Sequence, residues 1–208
     1  MEARTIETPV HGRYLVEDRG GERLLMGFHG YAEVAEWHLD ELRKIPHVEQ
    51  WTLVSVQALH PFYTRSGQVV ANWMTSLDRE LALRDNVEYV RRVLATFAAP
   101  RQVAFLGFSQ GAAMAMRAAA WSHPHPAGLI LLGGDIPPDV KEDASVTLPP
   151  VLLARGSRDE WYTDEKFKND LSYLEARTRV TRCVFAGGHE WSDAFRDAAG
   201  EFLKGITG

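Results

Sequence analysis

Six short apolar runs, most of them continuous rather than alternating, limit most strongly how this chain can fold. They cover residues 23–28, 51–59, 102–106, 128–132, 151–154 and 180–185. Continuous apolar runs of this length are typical of strands that are covered on both faces in a parallel sheet. Helix candidates lie between them at residues 77–97, 111–121, 166–176 and 192–203, and residues 13–17 can add an edge strand.

This alternation of strands and helices predicts an α/β fold with one doubly wound, mostly parallel sheet of about seven strands. The 208 residues, 45% hydrophobic and 25% charged, suit a single domain over residues 1–208. This length leaves no room for a large lid. In such sheets ligands bind beyond the carboxyl ends of the strands, so functional residues are expected just after each apolar run.

Charge and composition exclude several classes of partner. The net charge is −5 and no dense Lys/Arg block is present, which argues against nucleic acid and favours a small molecule. The N-terminus lacks a signal-like apolar region and no run reaches the ~18–20 residues of a membrane span, so a cytoplasmic location is predicted. No His/Asp/Glu cluster has metal-ligand spacing, and neither a metal nor a cofactor is expected. The single cysteine, Cys183, is interpreted as a core residue of a buried strand.

Residues 107–111 read G-F-S-Q-G and lie between a predicted strand and an Ala-rich helix. A G-x-S-x-G segment in this context is typical of a sharp turn that exposes a nucleophilic serine. Side chains at Gly107 and Gly111 would collide with neighbouring backbone in such a turn. The pattern therefore predicts Ser109 as the nucleophile, with the backbone N–H of Gln110 as one oxyanion donor.

A serine hydroxyl needs a general base, and the expected chain order is Ser, then Asp or Glu, then His. His123 and His125 follow the nucleophile in a Pro-broken exit from its helix, toward the wrong end of the sheet. His189 comes just after the last strand run. We therefore predict His189 as the base.

Two aspartates compete for the role of the acid that orients the base. Asp159 follows the strand run 151–154, and Asp135 follows the run 128–132. Asp135 precedes two prolines, which suggests a loop-opening or capping role. Asp159 is the favoured acid. For the second oxyanion donor we predict the N–H of Tyr31, because Gly30 lets the backbone approach closely after an early strand.

Four segments together resemble the phospholipase/carboxylesterase family of α/β-hydrolases, which includes small carboxylesterases and acyl-protein thioesterases. They are residues 29–31 (HGY), 107–111 (GFSQG), 156–159 (GSRD) and 188–189 (GH). The resemblance implies a single-domain α/β-hydrolase with catalytic Ser109, Asp159 and His189 and backbone oxyanion donors at Tyr31 and Gln110. The sequence departs from the family at Ala32, where a second glycine is usual, and over residues 160–163, which often contain Val-Pro.

Several aromatic residues fall beside the predicted strand ends, where a small-molecule cleft is expected. The candidate pocket residues are Phe62, Tyr63, Trp73, Phe108, Trp161 and Trp191. The function predicted is cleavage of small or medium carboxylic esters through an acyl-enzyme. The alternatives are a thioesterase or lysophospholipase, and a non-catalytic ligand-binding protein on the same scaffold.

Overall fold

Seven strands form one mostly parallel sheet, as predicted. The computed structural model describes residues 2–20, 22–98 and 100–206. The strands are β1 (Tyr14–Glu17), β2 (Arg23–Phe28), β3 (Trp51–Val56), β4 (His60–Tyr63), β5 (Val69–Asn72), β6 (Gln102–Phe108), β7 (Gly128–Leu132), β8 (Val151–Gly156) and β9 (Val180–Phe185). The main sheet has the order β1-β3-β2-β6-β7-β8-β9. Only β1 in this sheet runs antiparallel, against β3.

Helices cover both faces of the sheet. They are α1 (Ala35–Arg43), α2 (Arg79–Ala95), α3 (Gln110–Trp121), α4 (Pro138–Glu142), α5 (Asp164–Glu175) and α6 (Asp193–Gly205). Side chains of β6 alternate between two cores: Phe105 joins the core that α2, α3 and α5 cover, and Leu106 joins the core that α1 and α6 cover. Burial on both faces explains why the central strands are continuous apolar runs.

Besides the five-residue helix α4, two parts of the fold were not predicted from the sequence. The first is α1, whose buried residues, Ala35, His38, Leu39 and Leu42, do have helical spacing but are few and interrupted by charged residues. The second is the antiparallel hairpin of β4 and β5, which stands outside the main sheet. The predicted strand 51–59 ends at Val56, and this hairpin follows it along the chain.

The prediction that residues 180–185 form a fully buried strand is wrong. β9 is the edge strand of the sheet, and Thr181, Arg182 and Val184 are exposed. Cys183 is half-buried and packs against the core under α6, because the edge strand is covered on one face only. Within the described residues, no helix combines the length and the apolar character needed to cross a bilayer.

Candidate active site

Ser109 occupies a sharp turn between β6 and α3. Its backbone has φ 54° and ψ −120°, a region that residues other than glycine rarely adopt. A Cβ atom at Gly107 would lie 2.2 Å from the carbonyl oxygen of Gly111, and one at Gly111 would lie 2.0 Å from that of Phe28. Only glycine fits at both positions. The Ser109 N–H donates to the carbonyl oxygen of Leu132 at 2.8 Å, which ties the turn to the end of β7.

A continuous chain of hydrogen bonds joins Ser109 to residues that follow two other strands. The Nε2 atom of His189 lies 2.8 Å from the Ser109 Oγ atom, and its Nδ1 atom lies 2.8 Å from Oδ2 of Asp159. Asp159 is only 4% exposed, and its Oδ1 atom accepts the N–H groups of Trp161 and Tyr162, each at 2.9 Å. The carboxylate is thus held by the backbone on one side while its other oxygen faces the imidazole.

The competing candidates lie elsewhere. Asp135 accepts a hydrogen bond from the Lys166 ammonium at 3.1 Å, in an exposed ion pair, so it is not the partner of the imidazole. His123 and His125 lie in an exposed loop beyond the far end of α3. Burial raises the pKa of the Cys183 thiol, which favours the unreactive protonated form. Among the residues that the structure describes, no cluster of three or more His, Cys, Asp or Glu could hold a metal ion.

The loop after β2 is braced by a buried histidine. His29 is fully buried; its Nε2 atom accepts the Ala58 N–H at 3.0 Å, so its Nδ1–H donates to the Gly30 carbonyl oxygen at 2.7 Å. Burial lowers the pKa of His29 to about 4, which keeps the ring neutral near pH 7. A neutral ring has the one donor and one acceptor that these two bonds need.

Sequence reasoning missed a second brace of this loop, Glu33. Its carboxylate accepts the Gly30 N–H at 2.7 Å, and burial raises the pKa of this group. A Cβ atom at Gly30 would lie 3.3 Å from the Cβ atom of Ser109, so the loop passes directly beside the turn. Ala32 has φ 59°, a left-handed conformation that glycine adopts more readily than alanine.

The loop carries the predicted oxyanion donor. The backbone N–H groups of Tyr31 and Gln110 donate to no acceptor within the described part of the chain. The Tyr31 side chain is 59% exposed and its ring lies 5.6 Å from that of Phe62. Both N–H groups therefore remain free for a ligand atom.

Comparison with solved structures identifies the fold of this chain. No family model matches the sequence, and no curated protein is significantly similar to it. Solved structures do match: a carboxylesterase from Bacillus cereus at 15% identity (TM-score 0.71, 94% of each chain covered) and acyl-protein thioesterase 2 from Zea mays at 18% (TM-score 0.71, 95% and 100% covered). A phospholipase/carboxylesterase from Dyadobacter fermentans matches at 18% (TM-score 0.71, 93% and 97% covered). The chain has the α/β-hydrolase fold. The resemblance indicated by the motifs is thereby confirmed at the level of the fold.

A cavity of about 560 Å³ opens beside Ser109 and His189 at the carboxyl edge of this α/β-hydrolase sheet. Its walls are residues 74–76, α3, the 133–138 loop and the loop after β8. The Gln110 side chain fixes one wall, because its Oε1 atom accepts the Trp73 N–H and its Nε2 atom donates to the Met74 carbonyl oxygen, both at 2.9 Å. A second cavity, of about 410 Å³, lies at the opposite edge, around Arg23 and Arg101.

The predicted pocket aromatics divide into three groups. Trp161 lines the cavity and is 76% exposed. Phe62 and Tyr63 belong to the β4–β5 hairpin and do not line it, and Tyr63 is exposed. The others support the site from the core: Trp73 is fully buried and donates its indole N–H to the His29 carbonyl oxygen, and Phe108 packs 5.0 Å from the His189 ring.

Trp191 also packs against other rings and does not line the cavity. Its ring contacts those of Phe108, His38 and Phe195 at centroid distances between 5.3 and 5.9 Å. The assignment of Trp73, Phe108 and Trp191 to the pocket wall is therefore corrected, because large apolar rings at strand ends are as readily buried beneath the site as exposed within it.

Proposed function

We propose that this chain is a serine hydrolase that cleaves carboxylic esters of small or medium size through an acyl-enzyme. The observation that carries the proposal is the unbroken hydrogen-bond chain from Ser109 through His189 to Asp159, with both contacts at 2.8 Å. A nucleophile, a base and an orienting carboxylate in this order form the constellation required for acyl transfer. The likeness to esterase and thioesterase structures supports the same reaction class.

In the first half of the reaction, the Ser109 hydroxyl attacks the ester carbonyl carbon while His189 Nε2 takes its proton. The carbonyl oxygen becomes negative and accepts the free N–H groups of Tyr31 and Gln110. Asp159 holds the imidazole in the tautomer with a proton on Nδ1 and stabilises the imidazolium that forms. His189 then gives its proton to the leaving alcohol, and the acyl group stays on Ser109.

In the second half, water replaces the alcohol. His189 takes a proton from the water, the hydroxide attacks the acyl carbonyl, and the same N–H groups stabilise the second oxyanion. Ser109 leaves and recovers its proton from the imidazolium, releasing a carboxylic acid. No step needs a metal or a cofactor. The whole reaction uses residues within one unit, and we propose that residues 1–208 act as a single domain.

The volume of the cavity supports a substrate of small or medium size. Its volume of about 560 Å³ falls within the range of small-molecule sites, ~300–1,000 Å³. The thioesterase alternative uses the same groups with a thiol as leaving group, and a neighbour of this fold from Zea mays is an acyl-protein thioesterase. A panel of matched esters and thioesters separates the two by their kcat/KM values.

The test of the proposal is covalent labelling. A fluorophosphonate probe is expected to label the wild-type chain on Ser109, with loss of p-nitrophenyl acetate hydrolysis. Ser109→Ala should lose both label and turnover, whereas Ser172→Ala, on the exposed face of α5, should keep both. Absence of both labelling and turnover would favour a non-catalytic binding protein, and equal labelling of Ser109→Ala would show that another residue is the reactive nucleophile; either result would overturn the proposal.

A further inference from the structure

The cavity beside Ser109 has an unusual charge for this chain. Three cationic side chains, those of Arg79, Arg117 and Lys166, line it together with one carboxylate, that of Asp135. Asp139 pairs with Arg117 and Asp135 pairs with Lys166, so Arg79 is the one of these cations without an ion-pair partner among the described residues. An unpaired cation beside a cleft attracts a ligand of the opposite sign.

Arg117 is the buried member of this group. Its side chain is 0% exposed, and its Nε and Nη2 atoms donate to the two carboxylate oxygens of Asp139 at 2.7 Å each. Its Nη1 atom has no hydrogen-bond partner in the described part of the chain, although it is buried. Buried guanidinium donors are rarely left unsatisfied, so an acceptor is expected at this wall of the cavity.

The position of Arg117 relates it directly to the nucleophile. Ala113 and Arg117 are four residues apart on α3 and line the same cavity, and α3 begins immediately after Ser109. The Cα atoms of Ser109 and Arg117 are separated by about 12 Å along the helix axis.

Arg79 supplies an exposed cation beside the buried one. It is the first residue of α2 and forms no hydrogen bond or salt bridge with the described residues. Burial acts to raise the pKa of Asp139, but the hydrogen bond and charge of Arg117 and the charge of Arg79 lower it overall, which places Arg79 near this pair. The hydroxyl residues Thr75 and Ser76 line the adjoining wall.

Lys166 is less free than Arg79. Its ammonium donates to Asp135 at 3.1 Å and to the Trp161 carbonyl oxygen at 2.9 Å, and so joins two loops across the cavity. The unpaired positive charge is therefore that of Arg79, because Lys166 pairs with Asp135 and Arg117 pairs with Asp139.

We propose that this side of the cavity is an anion subsite, and that the preferred substrate is a small ester or thioester bearing a carboxylate or phosphate group. This inference rests on the proposed hydrolase function and names its substrate class. The anion binds Arg79 and the remaining donor of Arg117 while the carbonyl carbon of the substrate lies beside Ser109.

The experiment compares esters that carry a carboxylate with esters of the same shape in which that carboxylate is replaced by a neutral amide. One pair carries the charge on the acyl side: monoethyl glutarate and the ethyl ester of glutaramic acid. The other carries it on the alcohol side: O-acetyl-γ-hydroxybutyrate and its amide. We expect kcat/KM to be about tenfold higher for the anionic member of at least one pair, and this preference to fall as salt is added.

Variants of two arginines on the same helix then locate the effect. Arg79→Gln should lower kcat/KM for the anionic ester about fivefold to tenfold more than for its amide, mainly through KM, as for one charged contact at a partly exposed site. Arg84 is exposed on α2 and does not line the cavity, so Arg84→Gln makes the same change in net charge and should keep the preference.

Equal rates for anionic and neutral substrates in both pairs would overturn the subsite, as would equal effects of Arg79→Gln and Arg84→Gln. If Ser109 is still labelled and the esters that carry the neutral amide are still hydrolysed, only the proposed anion subsite is rejected. If no substrate is cleaved and no probe is bound, the proposed hydrolase function fails with it.

Discussion

Replacing Asp159 by asparagine changes one atom, and the surrounding hydrogen bonds decide which way the new amide must face. Oδ1 of Asp159 accepts two backbone N–H groups, from Trp161 and Tyr162, each at 2.9 Å. An NH₂ group cannot accept these bonds, so the amide oxygen of Asn must take the Oδ1 position. The NH₂ group then faces His189 Nδ1, which forces the imidazole proton onto Nε2. Nε2 can no longer take the Ser109 proton.

The size of the expected loss in kcat follows from the energy of the other orientation of the amide in Asp159→Asn. Turning the amide to restore the active tautomer would leave two N–H groups, one buried and one partly buried, facing an NH₂ group, at a cost of ~1–3 kcal/mol each. Together these correspond to a ~30-fold to ~10⁴-fold depletion of the active state. The imidazolium also loses its negative partner, so we expect kcat to fall by ~10³–10⁴-fold.

The assay is steady-state hydrolysis of p-nitrophenyl acetate, with circular dichroism as a check that the variant is folded. KM should change little, because Asp159 does not line the cavity. Asp135→Asn is the matched variant: its carboxylate pairs with Lys166, and we expect a loss of less than about tenfold. A folded Asp159→Asn enzyme with near wild-type kcat, or a greater loss in Asp135→Asn, would refute the assignment.

Two further predictions concern stability. The pKa of His29 is about 4 in the folded chain, whereas its ordinary value is 6.5, so the unfolded chain takes up a proton at higher pH than the folded chain does. The free energy of unfolding should therefore decline by up to about 3 kcal/mol as pH falls from ~6.5 to ~4. Urea titrations that show a constant free energy of unfolding over this window would contradict the prediction. Gly111→Ala should lower the free energy of unfolding by at least ~1–3 kcal/mol, since its Cβ atom would lie 2.0 Å from the Phe28 carbonyl oxygen. Thermal melts measure this loss. Gly205→Ala is the control in the same melts, because its Cβ atom would meet no atom within 4 Å.

Much of the fold could be predicted because its signals are local. Continuous apolar runs marked the strands of the sheet that are buried on both faces, and the predicted helices correspond to α2, α3, α5 and α6. The edge strand β9 was misread because a run such as VTRCVF has the composition of a core strand, while its burial depends on whether another strand lies beside it. The short helix α1 was missed because only four of its residues face the core.

The residues of the site also divide into those that local sequence signals predicted and those that depended on tertiary packing. The five-residue pattern predicted the turn at Ser109, since only glycine avoids the backbone at Gly107 and Gly111, although the clash at Gly111 is with the distant Phe28. The choice between Asp159 and Asp135 required the packed loops, because each follows a strand of the same parallel sheet.

By itself, then, the sequence indicated most strands and helices of the main sheet and its covering layers and the sharp turn at Ser109, because these depend mainly on residues that are neighbours along the chain. Tertiary structure alone decided which aromatic rings are buried beneath the site and what Arg117 faces. A charged residue in the middle of a helix such as α3 usually faces solvent, but here the side chain of Arg117 is buried and pairs with Asp139, which leaves one of its donors without a partner in the described residues. Burial and pairing depend on what folds against a residue, and its own neighbours in the sequence do not specify that.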